Sequence, residues 1–527
     1  MSILIKILFT AAFFNSLSWI ILIPIWQYPD EQAHFAQVQD LAEIGFVPVG
    51  GFNTSLEIAF SEKVMGTERD GMGNNKYTYH PQYKTEYTNS IYGPQEKEIS
   101  SLPKSARKEF TKNEATLNPP LYYFMSSIVY KVFSWGDIFT RVYALRIFSA
   151  VIFLLTIVIT YKIGQIVFNK DKIQEIAFAA IVAFSPMLVF ATSGVLPDTL
   201  NIFLFTFFFY ICLKIISLGF SIKRILILIL IISLGAMTRQ NFLITLFILP
   251  IPIIFEFIEN YKTRRTILIT TLFASFGIYT LSYFVPSMHF IHQFDYPESS
   301  GKNPNNPLVS MTFKDHLAWT IKQSIAQVWP WFWGIYKWLS LALPPEVYRI
   351  INRLIPFAII GLLIKIYYII KKRDVKNGKI LLFLIFSVLI YCLMLTTFDY
   401  LFRKNNGYSF GIQGRYYFPV IVPTFALMLT GFWQLFSLFQ KYSKYLLFAL
   451  VFLFFTFNVF SLSYLAGSYY NTSTPQAFIN HASQYKPIIF KGNIIYLIVF
   501  IAVILQAIFI YSFGKFLKSN NVNIINK

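Results

Sequence analysis

The sequence predicts an all-α protein that crosses a membrane about twelve times. Three observations predict it. The 527 residues are 55% hydrophobic and 19% aromatic. Their apolar side chains gather in blocks of about twenty, the length that spans a hydrocarbon core, and not in alternating or amphipathic patterns. The basic residues collect in short clusters between those blocks, and the clusters fall on every second connection.

The expected spans are residues 3–26, 143–165, 175–194, 200–219, 222–238, 241–259, 264–288, 347–371, 379–398, 416–438, 444–467 and 494–514. The stretch "NPPLYYFMSSIVYKVF" (118–133) is apolar but short, opens on a double proline and carries Lys131. If it lies along the surface, the clusters around Lys170, Lys223, Arg264, Lys372 and Lys441 share one side with the N-terminus. The positive-inside rule makes that side cytoplasmic and 118–133 a juxtamembrane helix. The chain then divides into a first transmembrane helix (1–26), an extracytoplasmic loop with juxtamembrane helices (27–142) and a transmembrane bundle (143–288). A second extracytoplasmic loop (289–346), C-terminal transmembrane helices (347–514) and a cytoplasmic tail (515–527) follow. Such a chain belongs in the cell's inner or plasma membrane, with both termini cytoplasmic and its chemistry on the outer face.

Net charge of +20 would suggest nucleic acid in a soluble protein. Here the cations sit where they fix orientation, so no nucleic-acid partner is expected. Both cysteines, Cys212 and Cys392, lie inside apolar blocks, which leaves no disulfide framework or cysteine metal site in the loops.

Chemistry is sought where ionisable residues meet the membrane rim. After the first span comes "YPDEQAHFAQVQDLAEIG", which reads as an amphipathic helix over 30–45 with Phe35, Val38, Leu41 and Ala42 on one stripe and Gly45 closing it. Asp30 and Glu31 stand at its start. Acidic residues are favoured there as caps, and that alone accounts for them locally. A carboxylate just outside the membrane is equally suited to take a proton from an acceptor whose co-substrate is a lipid. His34 lies one turn on and can face the same place, without a partner at a metal-ligand spacing. Asp198, in "SGVLPDTLNIF", reads as a helix N-cap or a site acid. Arg239 stands at the rim without an obvious acidic neighbour, and Arg415, with Lys404 behind it, opens a later span. Each can snorkel into headgroups or hold a lipid phosphate. Tyr122 and Tyr123 are expected as interfacial anchors, and the Trp-rich stretch 327–348 as an element embedded at headgroup level.

In their order, "YPDEQAHFAQVQDLAEIG", "NPPLYYFM", "LRIFSAVIFLLTIVITYKIGQIVF", "FSPMLVFATSGVLPDTLNIFLF", "WFWGIYKWLSLALPPEVY" and "GRYYFPVIVP" resemble the integral-membrane glycosyltransferases of the C superfamily, which include the dolichyl-phosphate-mannose protein mannosyltransferases. The Trp-rich motif is similar to that of a mostly uncharacterised bacterial branch. The resemblance implies transfer of a hexosyl or pentosyl unit from a polyprenyl-phosphate donor to an extracytoplasmic glycan, lipid or protein acceptor. It implies inversion at the sugar with Asp30 as general base beside Glu31; His34, Asp198, Arg239, Arg415 and Lys404 are expected as substrate contacts from their positions at the rim. No cofactor is expected with certainty; the family allows a divalent metal, for which Asp198 with Asp30 or Glu31 would supply carboxylates. The soluble domain inserted in the protein mannosyltransferases is absent from this sequence. Rim carboxylates and arginines also fit a transporter or flippase of lipid-linked saccharide, in which they would bind and gate, or an assembly factor in which Asp30 only caps a helix.

Overall fold

The computed structural model describes residues 3–46, 53–70, 73–112, 118–259, 310–470 and 472–525. It is a polytopic helical membrane protein. In the first half, α1 (Ile3–Leu22) is followed by short elements: α2 (Glu31–Glu43), α3 (Leu56–Met65), α4 (Glu96–Ser100) and α5 (Leu121–Val132). Then come α6 (Ile138–Val167), α7 (Lys172–Ala183), α8 (Pro186–Ser193), α9 (Pro197–Leu218), α10 (Ile222–Ala236), α11 (Thr245–Ile248) and α12 (Pro250–Glu259). In the second half α13 (Phe313–Gln323) and α14 (Trp329–Trp333) precede the long helices α15 (Pro345–Lys372), α16 (Val375–Asn406), α17 (Ile421–Ser437) and α18 (Ser443–Tyr470). The chain closes with α19 (Pro475–Ser483) and α20 (Ile494–Ile525).

Among the described residues nine segments are long and apolar enough to cross a membrane, and the pair α7–α8 makes ten if it counts as one broken span. That pair bends by 57°. Pro186 at the start of α8 lacks an N–H and cannot continue the preceding helix, which accounts for the break within the expected span 175–194. The expected span 222–238 is a 15-residue helix, about 22 Å long at 1.5 Å per residue and short of a full hydrocarbon core. The expected span 264–288 lies outside the described residues. The expected tail after 514 is helical as far as Ile525.

The stretch 118–133 forms α5, 12 residues and about 18 Å long, too short to span. It is two-faced. Tyr122, Tyr123, Ser126, Ser127 and Tyr130 are buried against α2 and α6, whereas Phe124, Ile128 and Val132 are exposed on the other side, as suits a helix lying at a bilayer surface. The two tyrosines are therefore interior groups and not anchors.

The Trp-rich stretch is folded inward in part: of its four tryptophans Trp333 is buried and Trp329, Trp331 and Trp338 are half-buried. Trp333 is buried and stacked on Phe425 with ring centroids 6.1 Å apart, and Trp338 Nε1 donates to the Trp26 carbonyl at 3.0 Å. After Trp333 a two-stranded hairpin pairs β3 (Ile335–Tyr336) with β4 (Leu341–Ala342), and its turn residues Lys337, Trp338 and Leu339 are all left-handed. Lys337 Nζ donates to Pro81 O (3.0 Å) and Ser468 O (3.4 Å), so the hairpin ties the first loop to the end of α18. Burial lowers this ammonium's pKa to about 8. The other short pair, β1 (Thr54–Ser55) with β2 (Phe110–Lys112), closes the loop base.

Helices α15 and α17 touch backbone to backbone. A Cβ on Gly361 would strike the Gly431 carbonyl, and one on Gly431 the Ala358 carbonyl, so both positions need glycine for the close approach that small residues allow between membrane helices. Gly431→Val should therefore separate these helices. The expected outcome is a fall in thermal unfolding temperature in detergent, with a cost of about 1–3 kcal/mol as for other overpacked sites; a wild-type transition would contradict the contact.

Candidate functional site

The chain leaves α1 at Pro24, turns at Trp26 and Asp30, both left-handed, and starts α2 at Glu31. This turn sends the two adjacent carboxylates in opposite directions.

Glu31 points inward and is fully buried. Its Oε1 accepts from Arg146 Nε (2.8 Å) and Val195 N (3.2 Å), and its Oε2 from Arg146 Nη2 (2.6 Å) and Trp26 N (3.1 Å). Arg146, on α6, spends its remaining donors on the carbonyls of Ile20, Ile23 and Pro24 at 2.9–3.3 Å, which are orphan acceptors at the C-terminal end of α1. The guanidinium also lies over the rings of Tyr28 and Tyr143, 4.7 and 4.8 Å from their centroids. Every donor of Arg146 and both oxygens of Glu31 are used, so the pair is saturated in place. A second buried pair, Arg141–Glu57 (2.7 and 2.8 Å), holds α3 to α6 in the same manner.

Asp30 points outward. It occupies the N-cap position of α2, yet its side chain makes no capping hydrogen bond. Its carboxylate instead accepts from Arg69 Nη1 on Oδ1 (2.9 Å) and Arg415 Nη2 on Oδ2 (3.2 Å). The side chain stays 37% exposed, whereas that of Arg415 is 8% exposed. Burial by itself would raise the carboxyl pKa; Arg415, then Arg69, then His34 override it and hold it at about 2. The stability these contacts contribute is complete above the ordinary carboxyl pKa near 3.9 and is lost as pH falls through about 2.

The other predicted residues gather on the same spot, Lys404 excepted. His34 Nδ1 and the Tyr123 hydroxyl are 2.8 Å apart, and burial followed by the charge of Arg239 lowers the imidazole pKa to about 3, so the ring is neutral. Asp198 does not cap α9, where Leu196 holds the cap position. Its Oδ1 accepts from Arg239 Nε (2.9 Å) and Nη2 (2.8 Å), so Arg239 has the acidic neighbour that the sequence did not reveal. Arg239 Nη1 also reaches Asn118 Oδ1 at 3.4 Å. A relay of hydrogen bonds from Asn201 to Asn241 (3.1 Å), Asn241 to Tyr391 (3.1 Å) and Tyr391 to the Tyr416 carbonyl (2.8 Å) fixes the Arg239 turn against the Arg415 turn. Gly414 allows the latter, since a Cβ there would collide with the backbone of Phe332. Lys404 is exposed on the last turn of α16, and among the described residues no hydrogen bond or ion pair joins it to the cluster. Gln32, Gln39 and Asp40 of α2, outside the apolar stripe, are also buried.

Three guanidinium groups, Arg69, Arg239 and Arg415, thus surround two carboxylates and a neutral imidazole. The surplus is cationic, which suits a phosphate with its own negative charge. A divalent cation fits poorly. Asp30, Glu31 and Asp198 are each committed to arginine, and no group of three potential ligands comes together among the described residues. Arg146 and Arg69 escaped the sequence reading. Arg146 carried a signal, being a lone arginine inside an apolar block; Arg69, in the loop "GTERDG", carried none.

Removing the charge from Glu31 while keeping its shape should strand Arg146. Glu31→Gln is expected to destabilise the folded protein by about 3–5 kcal/mol, and Arg146→Met in the same chain to recover part of that loss, as read by thermal unfolding in nanodiscs. Equal melting of Glu31→Gln and wild type would contradict the clamp.

Among solved structures the chain is similar to the apo oligosaccharyltransferase of Archaeoglobus fulgidus, with 14% identity and a TM-score of 0.43 over 92% of this chain and 56% of that one. It is similar to the oligosaccharyltransferase AglB of the same organism in complex with an inhibitory peptide and a dolichol-phosphate, at 14% identity, TM-score 0.41, and 88% and 56% coverage. ArnT from Cupriavidus metallidurans bound to undecaprenyl phosphate gives 11% identity, TM-score 0.40, and 95% and 76% coverage. The chain spans little more than half the length of the two oligosaccharyltransferases. No protein of curated function matches. Residues 13–424, which hold every residue of the cluster, match the family described as "Predicted membrane protein (DUF2142)", and the chain belongs to that family.

Proposed function

We propose that this protein is a glycosyltransferase that moves a sugar from a polyprenyl-phosphate carrier to an acceptor on the extracytoplasmic side, with inversion. One observation carries the reading: a partly exposed carboxylate, Asp30, is freed from its capping role and held among Arg415, Arg69 and the Arg239–Asp198 pair at the loop-rich end of the bundle.

The donor's phosphate enters from the bilayer and engages Arg415 and Arg239, whose planar forks suit it. The acceptor oxygen attacks the anomeric carbon, the bond from that carbon to the phosphate oxygen breaks, and its electron pair leaves on the phosphate. The acceptor's hydroxyl proton passes to Asp30. In the ligand-free protein Asp30 is a weak base because two guanidinium groups share it. As Arg415 turns to the phosphate, Asp30 loses one of those partners and becomes more basic at the moment a base is required. Once engaged, the arginines stabilise the charge that develops on the departing phosphate. His34, neutral and bonded to Tyr123, lines the wall and donates or accepts a hydrogen bond without adding charge. Glu31 is a positioning residue, since its oxygens are saturated by Arg146 and backbone.

The test is transfer of labelled sugar from polyprenyl-phosphate-linked donor by purified protein in proteoliposomes supplied with envelope extract. Asp30→Asn is expected to lower the rate by about 10²–10⁴-fold, the range for loss of a general base, with folding unchanged because Asn suits the left-handed turn. Transfer by Asp30→Asn at the wild-type rate would overturn the reading.

A further inference from the structure

Outside the arginine cluster, a cleft of about 920 Å³ lined mainly by polar and charged residues opens beside it. Arg69 belongs to both. It lines the cleft and donates to Asp30 Oδ1 at 2.9 Å, so the carboxylate stands directly behind one wall. We infer that this cleft holds the acceptor and that the acceptor is a saccharide; the inference rests on the glycosyl-transfer reading above.

The chemistry of the walls selects the class. Asn74 and Gln82 offer amides, Asp70 and Lys84 offer both signs of charge, and Tyr83 offers a ring. Amides and charged groups supply donors and acceptors side by side, which a ring of hydroxyl groups can satisfy pairwise. A lipid acceptor needs continuous apolar walls, and only Tyr83 provides a large apolar surface here. An extended peptide is held by strand pairing or by spaced apolar pockets, and none of these lining residues lies in a strand. The volume is at the upper end of the range of about 300–1,000 Å³ typical of ligand sites, room for more than one sugar ring.

The cleft is also built. Asn74 N donates to Asp70 Oδ1 at 2.9 Å and Asp70 N to Asn74 O at 2.8 Å, which holds these two lining residues together. Tyr77, beneath it, is buried, packs edge-to-face on Tyr83 with centroids 4.6 Å apart, and bonds to Thr85. From below, Lys337 donates to Pro81 O and Ser340 to Tyr77 O, so the Trp-rich hairpin carries this wall. That connection gives the hairpin a task in acceptor placement, distant in sequence from both Asp30 and the cleft.

The experiment uses membranes that make the protein naturally, supplied with the total polyprenyl-phosphate-linked sugars of the same cells, labelled in the sugar. The product is divided by protease digestion and by chloroform–methanol extraction. Label that leaves the donor is expected in protease-resistant, solvent-insoluble saccharide; label released by protease, or extracted in a lipid other than the unreacted donor, would overturn the inference. The saccharide fraction is then titrated against wild type and the double variant Gln82→Ala/Lys84→Ala, both exposed positions that do not touch Asp30. The acceptor KM is expected to rise by about tenfold or more for two lost polar contacts, while donor KM stays as in wild type. An unchanged acceptor KM would overturn the cleft with the transferase reading intact. Full transfer by Asp30→Asn, or none by wild type, would overturn that reading and this inference with it.

Discussion

The buried contact between Arg146 and Glu31 is the constraint on which the rest of the site depends. Arg146 lies within a transmembrane helix, where an uncompensated cation is costly, and it is matched by one carboxylate and three helix-terminal carbonyls. The carbonyls belong to the end of α1 and the carboxylate to the start of α2, so the contact fixes the angle of the turn between them. With Glu31 drawn inward, its neighbour must face the other way. The left-handed backbone of Asp30, which aspartate tolerates better than most residues, completes the reversal. The two acids quoted as a pair in the sequence therefore have opposite environments: one dry and saturated, the other partly open and shared between guanidinium groups from distant parts of the chain.

The same logic extends outward. Arg239 and Arg415 come from turns far apart in sequence, yet the Asn201–Asn241–Tyr391–Tyr416 relay holds those turns in one register. The first loop is anchored at several points: Arg141–Glu57 at its base, Lys491–Glu96 against the last loop, and Lys337 beneath Pro81. These contacts hold an irregular loop over the end of the bundle, so that Arg69 and the cleft beyond it keep a defined position relative to Asp30. Loops supply Arg69 and the cleft beside it, and buried ion pairs within and beneath them fix their position.

Much of this was legible in the sequence because membrane proteins write their spans as composition. The apolar blocks located most helices, and the positive-inside rule made the short stretch 118–133 a juxtamembrane helix; it forms the 12-residue α5, too short to span. Asp30, His34, Asp198, Arg239 and Arg415 were legible as rim residues, and they come together in space. What sequence could not supply is partnership. Nothing local in "AMTRQNF" announces Asp198 as the partner of Arg239, and nothing in "PDEQ" distinguishes Glu31 from Asp30, because the discriminating group, Arg146, lies 115 residues away. Lys404 is near Arg415 along the chain, with left-handed Gly407 and Gly411 between them, but makes no hydrogen bond or ion pair to the cluster among the described residues. Aromatic density likewise did not reveal which ring turns inward: Trp333 is buried against Phe425, whereas Trp329, Trp331 and Trp338 are half-buried.

The most direct test of the central claim is where a lipid phosphate rests. An electron cryomicroscopy structure of the protein in nanodiscs with added polyprenyl phosphate should place the phosphate within hydrogen-bonding distance of Arg415 and Arg239, with Arg415 turned away from Asp30 and the Glu31–Arg146 contact unchanged. A phosphate bound elsewhere, with Arg415 still on Asp30, would contradict the account.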